Sequence, residues 1–273
     1  MDAPRLAGVD RRPDRLGFMF SAISWRYDLL NALMSLGQDG AWRRALARPI
    51  PRGARVLDLC CGSARSSLPA FERAGTTVTG LDVSFLMLER GRDYARGRGA
   101  SFDPVHGDGF HLPFRDGTFD VVTAAFGLRN LVPLPPAAIE IQRVLRPGGR
   151  FLALDSVAPA GGAFAPFHAF YLRHGVPLLG RLSPDPAAYR YLSESIFDFG
   201  TPSAVAARLE AAGFETPVRV RPLLLGAVAI FEAARSNALS SRAAAMGAPV
   251  QSANGHADSG RDATPADAPG AGR

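Results

Sequence analysis

Residues 54–64 read ARVLDLCCGSA, with Pro51 and Gly53 just ahead of them. A short apolar run that follows turn formers and ends at Gly62 predicts a buried strand. A helix is expected next over 64–74, ended by Gly75, and then TTVTGLD (76–82) as a second strand. Ser84 sits where a side chain caps a helix over Phe85–Arg96. SFDPVHGD (101–108) gives a weak third strand and FDVVTAAF (119–126) a strong fourth. A helix over 135–145 stops at Pro147-Gly148-Gly149, and RFLALDS (150–156) is a fifth strand. Helices over 164–179 and 203–212 and two β-rich runs, 215–222 and 224–233, close the pattern. Upstream, apolar and aromatic residues recur at helical spacing over 16–36, and 39–48 reads as a second short helix. Strands alternating with helices predict an α/β fold, a doubly wound and mostly parallel sheet with helices on both faces.

The chain of 273 residues is long enough for one large domain. Residues 1–15 and 236–273 are rich in Ala, Gly, Ser, Pro and Asp or Arg and poor in large apolar side chains. Such segments offset little of the entropy of ordering, so a flexible N-terminus, a folded domain over 16–235 and a disordered tail are expected. No apolar run reaches the length of a membrane span, and the N-terminus lacks a signal-peptide core. Only two cysteines occur, adjacent at Cys60 and Cys61, which excludes a long-range disulfide framework and suits a cytoplasmic setting. The net charge is +6, and all 31 basic residues are arginine. The arginines are scattered without interleaved aromatics, which argues against nucleic acid and suits a solvated basic face near anionic lipid.

In a doubly wound sheet, ligands bind beyond the carboxyl ends of the strands. Three acids fall near three successive ends: Asp58, Asp82 and Asp108. Gly62, at the mouth of the first helix, lets a ligand approach the backbone closely. A carboxylate at Asp82 can accept both hydroxyl hydrogens of a ribose, and Asp108 could receive an adenine amino group. The dinucleotide glycine fingerprint is absent, and there is no lysine for a phosphate loop. A phosphate-free nucleoside with a positive sulfonium, S-adenosylmethionine, fits acids better than glycine-rich amides do.

From Leu16 to Ala234 the sequence resembles the menaquinone/ubiquinone C-methyltransferases. VLDLCCGS (56–63), GLDVSFLML (80–88), GDGFHLPFRDGTFDVVTAAFGLRNL (107–131), RVLRPGGRFLALDS (143–156) and AYRYLSESI (188–196) carry the resemblance. Arg26-Tyr27-Asp28 and Leu30-Asn31 match the family's N-terminal segment, and Phe126-Gly127-Leu128-Arg129-Asn130 is its most specific signature. The resemblance implies a seven-stranded methyltransferase sheet with its last strand antiparallel. It implies cofactor contacts at Ser63, Asp82, Asp108, Gly109 and Ala125, and it sets Arg129 and Asn130 beside the reacting ring of a prenylated quinol. Two departures stand out. Where relatives read Gly-Thr-Gly-Asp, this chain has Gly62-Ser63-Ala64-Arg65, and Asp155 stands where glutamate is common. An alanine forced to positive φ would cost about 1 kcal/mol. Arg65 would repel a sulfonium but attract the cofactor's carboxylate.

Carbon methylation needs an electron-rich ring carbon, and the developing phenolate must be stabilised. Arg129 stays protonated far above neutral pH, so it suits phenolate stabilisation or the positioning of a water, with Asn130 holding that water or a ring oxygen. His106, His111, His168 and His174 form no metal-ligand pattern with the cysteines, which read as packing residues. Phe164, Phe167, Phe170 and Tyr171 recur at near-helical spacing and would serve as core or as a channel for a prenyl tail. Two other readings remain: a methyltransferase for another small apolar acceptor, sterol- or polyketide-like, and a binding protein with an impaired cofactor loop.

Overall fold

The computed structural model describes residues 35, 37–73, 75–181 and 186–237. Save for Ser35, Ser236 and Asn237, the expected helix over 16–36, the N-terminal family segment and both terminal stretches lie outside the described residues. The described chain opens with helix α1 (Asp39–Ala47) and runs on through β1 (Arg55–Leu59), α2 (Leu68–Phe71), β2 (Thr77–Asp82), α3 (Phe85–Arg96) and β3 (Phe102–His106). It crosses back to β4 (Phe119–Ala125), a 3₁₀ turn (Leu128–Asn130), α4 (Leu134–Val144) and β5 (Leu145–Ser156). Helices α5 (Ala165–Phe170) and α6 (Val176–Gly180), joined by a π turn (Tyr171–Gly175), precede α7 (Pro186–Phe199) and α8 (Pro202–Ala211). The hairpin β6 (Arg219–Leu223) and β7 (Val228–Ala234) ends the sheet.

The seven strands lie in the order β3-β2-β1-β4-β5-β7-β6. β1 to β5 pair in parallel, and β7 is antiparallel to both of its neighbours. The chain winds outward from β1 to β3 and restarts at β4 on the other side of β1, so the switch point lies between β1 and β4. Strand alternation divides the core into two layers. Leu57, Leu59, Val122 and Phe151 pack with Ile141 of α4 and Leu209 of α8, whereas Val56, Val78, Val121 and Leu152 pack with Trp42 and Leu46 of α1. Gly80 is required at the β2–β3 seam, because a Cβ there would stand 2.3 Å from the Phe102 ring.

Two local expectations change. The helix expected over 64–74 is confined to α2, because Ala64 takes φ +59 and cannot begin a right-handed helix. The stretch 188–196, legible only as a motif, is the centre of α7. The Ser84 cap is present, its hydroxyl accepting from the Met87 N–H at 3.3 Å.

Asp58 ties the central strands to the following loop. Its parity with Val56 turns it toward α1, where it is 1% exposed. Thr123 of β4 donates to its Oδ1 at 2.9 Å and Ser67 donates to its Oδ2. Burial lifts this carboxyl from 3.8 to about 6, against the opposing pull of those hydroxyls and of Arg43. The folded protein therefore keeps the proton to higher pH than the unfolded chain does. The stabilisation is complete below 3.8 and is lost as pH rises to about 6. Asp58→Asn, which cannot ionise, should be about 1–3 kcal/mol more stable than wild type at neutral pH, with the advantage vanishing toward pH ~4. Urea unfolding across that range reads it, and equal stability of the two proteins at neutral pH would disprove the buried charge penalty.

Candidate active site

Two cavities open beyond the carboxyl ends of β1, β4 and β5, and Phe126 lines both. The first is a cleft of about 520 Å³, open volume included, at the switch point. Gly62, Ser63, Asp82, Met87, Ala125 and Asn130 line it, with Arg43 and Arg65 at its edge. The second is larger, about 1340 Å³ to its open mouth, and its lining is mostly apolar. Arg129, Ser156 and His168 are among its polar groups.

The cleft's geometry rests on Asp82, the last residue of β2. Its Oδ2 accepts from Gly62 N–H and its Oδ1 from Ser84 N–H, both at 2.9 Å. Each oxygen keeps a further acceptor position for a ligand hydroxyl. Burial raises this carboxyl, and the backbone N–H groups of Ser84, Gly62 and Val83 oppose the rise. Gly62 sits at φ +53, and a Cβ on it would come within 3.2 Å of Met87 Cε, narrowing the cleft. Gly127 permits the close approach of the β1 and β4 ends, since a Cβ there would lie 2.4 Å from Cys60 Cβ. Burial holds the thiols of Cys60 and Cys61 protonated, well above their ordinary range. These features form a cradle that fits a nucleoside: a backbone-fixed carboxylate, side-chain-free glycine and small apolar walls.

The residues singled out in the sequence do not all converge. Ser63, Gly62, Asp82, Ala125 and Asn130 face the cleft, and Arg129 faces the apolar cavity. Asp58 lines neither cavity and is held by Ser67 and Thr123, which line neither one themselves. Asp108 shapes its own loop, accepting from Phe110 N–H at 3.0 Å, with His111 Nδ1 3.6 Å away. Gly109 packs against Leu131, where a Cβ would meet Cδ2 at 2.8 Å. Neither Asp108 nor Gly109 lines the cleft.

The junction between the cavities is built on a buried ion pair. Arg129 Nη1 donates to Asp155 Oδ1 at 2.7 Å and to the Phe126 carbonyl at 2.6 Å, while Arg129 N–H donates to Asp155 Oδ2 at 3.0 Å. Arg129 and Asp155 are 4% and 0% exposed. Phe126 takes φ +61, and its N–H donates to Leu154 O at 2.7 Å. Tyr191 of α7 donates to Asn130 Oδ1 at 2.7 Å, which commits that oxygen and leaves the amide N–H groups to donate.

Sequence reasoning overlooked Arg43. It lies on α1, is 8% exposed, pairs with Asp39 at 3.5 Å, donates to Ser66 and stands 5.4 Å from the Phe126 ring centre. Nothing in the run DGAWRRALA separates Arg43 from the neighbouring Arg44; only the tertiary crossing of α1 does. Tyr191 was visible within a motif, yet its role depends on where α7 lands.

A family model described as the ubiE/COQ5 methyltransferase family matches residues 9–235. A demethylmenaquinone methyltransferase of Thermus thermophilus is 43% identical over 218 residues, 78% of this chain and 97% of that protein. A demethylmenaquinone methyltransferase of Streptomyces avermitilis is 40% identical over 228 residues, 82% and 96% of the two chains. Among solved structures, a SAM dependent methyltransferase from Aquifex aeolicus superposes with a TM-score of 0.51 at 18% identity, over 68% of this chain and 84% of that one. That last likeness is one of fold.

Asp82 provides the sharpest test of the cleft. Asp82→Ala should weaken S-adenosylmethionine binding roughly ten- to hundredfold, about 1.5–3 kcal/mol, the range for hydrogen bonds to a charged group. Calorimetric titration reads the affinity, with circular dichroism as the check on folding. Unchanged affinity in a folded variant would remove Asp82 from the site.

Proposed function

The chain belongs to the ubiE/COQ5 methyltransferase family, and on that premise we propose that it transfers a methyl group from S-adenosylmethionine to a ring carbon of a prenylated quinol, demethylmenaquinol foremost. The observation that carries the reading is the junction at Phe126. Phe126 lines both a cleft suited to a nucleoside and an apolar cavity suited to a quinol with the start of its tail. Consecutive residues serve the two sides, Arg129 the apolar cavity and Asn130 the cleft.

The fit to the cofactor lies in the cradle around Asp82. In this reading Asp82 takes the ribose hydroxyls, Gly62 and Ser63 the adjoining backbone approach, and Ala125 the wall. Arg65 is exposed at the rim, its guanidinium 5.6 Å from the Tyr94 ring centre, a position that suits the ligand's carboxylate. S-adenosylmethionine supplies an electrophilic methyl group when bound. The protein's task is then to bring the ring carbon up to it and to stabilise negative charge on the quinol oxygen.

Arg129 is suited to that second task. Its guanidinium is fixed by Asp155 and the Phe126 carbonyl before substrate arrives, so little reorganisation is needed as charge develops. Asn130, oriented by Tyr191, donates from the cleft side to a ring oxygen or a bridging water. The lipid nature of the substrate also supports work at the inner face of the membrane from a cytoplasmic position. Among the described residues, no helix is long and apolar enough to cross a membrane.

Arg129→Gln alone is ambiguous, because it strands Asp155 as a buried charge at a cost of about 3–5 kcal/mol. The pair of variants resolves this. Arg129→Gln should be destabilised and slowed, whereas Arg129→Gln with Asp155→Asn should regain most of the stability. Turnover of the double variant should still fall about 10²–10³-fold, the loss typical of one preorganised electrostatic donor. Single-turnover methylation of a reduced short-chain demethylmenaquinol, read beside thermal unfolding, separates the two effects. A double variant with wild-type turnover would return Arg129 to a purely structural role.

A further inference from the structure

Arg43 and Arg129 are both buried beside the cavities, and they are satisfied differently. Arg129 has the buried Asp155 carboxylate at 2.7 Å. Arg43 has no hydrogen-bonded carboxylate among the described residues. It is 8% exposed, and its Nε stands 3.5 Å from Asp39 Oδ2, beyond the usual N–H···O range. That Nε is buried and makes no hydrogen bond. Nη1 donates to Ser66 Oγ, which takes one of the five donors that a guanidinium carries. Asp58, within electrostatic reach of Arg43, accepts its hydrogen bonds from Ser67 and Thr123 instead. A cation shut away from water with donors unspent is costly unless an anion completes it.

The cleft shows where that anion belongs. Arg43 and Ser66 both line it, and the Arg43 guanidinium stands 5.4 Å from the ring centre of Phe126, the residue that follows β4. Asp82 lines it from the end of β2, which lies across β1 from β4. A ligand spread over the cleft therefore meets an acid toward one end and a desolvated cation toward the other. S-adenosylmethionine carries matching groups in that order: ribose hydroxyls, then the sulfonium, then an amino-acid carboxylate.

Arg65 lines the same cleft, but its side chain is exposed, so water and salt screen its charge. Arg43 is desolvated and already oriented by Ser66, so it loses little freedom when an anion arrives. Its neighbour Trp42 lines the apolar cavity, so α1 braces both sides of the junction.

We propose that Arg43 binds the amino-acid carboxylate of the cofactor through Nε and its remaining guanidinium N–H groups. The proposal rests on the S-adenosylmethionine reading and adds a second anchor to it. With the ribose held at Asp82 and the carboxylate at Arg43, the sulfonium between them has little freedom, as transfer to a positioned ring carbon requires.

The test compares S-adenosylmethionine with its decarboxylated form, which lacks only the carboxylate, by calorimetric titration of the full chain. Wild type should bind the decarboxylated form roughly ten- to hundredfold more weakly, the range for hydrogen bonds to a charged group. Arg43→Gln should lose a similar factor for S-adenosylmethionine. It should bind the decarboxylated form at least as well as wild type does, because a cation facing a cation is removed. Arg43→Lys keeps the charge without the planar fork, so it should retain only part of the preference, and it carries the test if the Gln variant does not fold. Asp82→Ala should weaken both ligands alike. A wild type without the preference, or a folded Arg43→Gln that keeps it or loses both ligands equally, overturns the proposal. So does loss of the preference in Arg65→Gln rather than in Arg43→Gln, which would put the carboxylate at the rim. Wild type that binds neither ligand refutes the cofactor reading itself, and the role of Arg43 with it.

Discussion

The Asp155 carboxylate, shut away from water at the end of β5, organises everything that meets at the switch point. Desolvating a carboxylate and a guanidinium costs several kcal/mol per ion, and only close, well-formed hydrogen bonds offset that. Here Asp155 accepts from Arg129 twice, through N–H and Nη1, and from Ser156 N–H at 2.8 Å. The same Nη1 holds the Phe126 carbonyl, so the ion pair also fixes the left-handed residue that lines both cavities. A longer acid at 155 would have to fold back to make the same contacts. The shorter aspartate reaches them directly.

Strain collects around this junction. Cys60, Ala64 and Phe126 all take positive φ without being glycine, each at a cost of order 1–2 kcal/mol. The Ala64 methyl is fully buried, next to Gly91, where an added Cβ would lie 3.2 Å away. Gly91 thus makes room for Ala64 at its positive φ. Beside it, Arg65 lines the cleft with an exposed side chain whose guanidinium stands 5.6 Å from the Tyr94 ring centre.

The two cavities also differ in how they meet solvent. The nucleoside cleft holds the backbone-fixed Asp82 carboxylate, whereas the apolar cavity is lined in part by exposed aromatic and leucine side chains.

The alternation of apolar runs with helical periodicity determined the sheet, its parallel core and the side on which ligands bind, because these follow from local period and chain connectivity. Signature residues 126–130 and the acid at 82 were equally legible, since each closes a strand whose end the pattern locates. The sequence could not assign Asp58 and Asp108: period two places Asp58 on the face of Val56, and the turn after β3 directs Asp108 onto its own backbone. Nor could it find Arg43 or join Tyr191 to Asn130, because those meetings span 23 to 61 residues and exist only once α1 and α7 cross the strand ends. That Arg129 and its neighbour Asn130 line different cavities was likewise decided in three dimensions. A 3₁₀ turn after the left-handed Phe126 sends consecutive side chains apart, and the buried Asp155, 26 residues away in sequence, holds that turn by accepting from the Arg129 N–H and guanidinium.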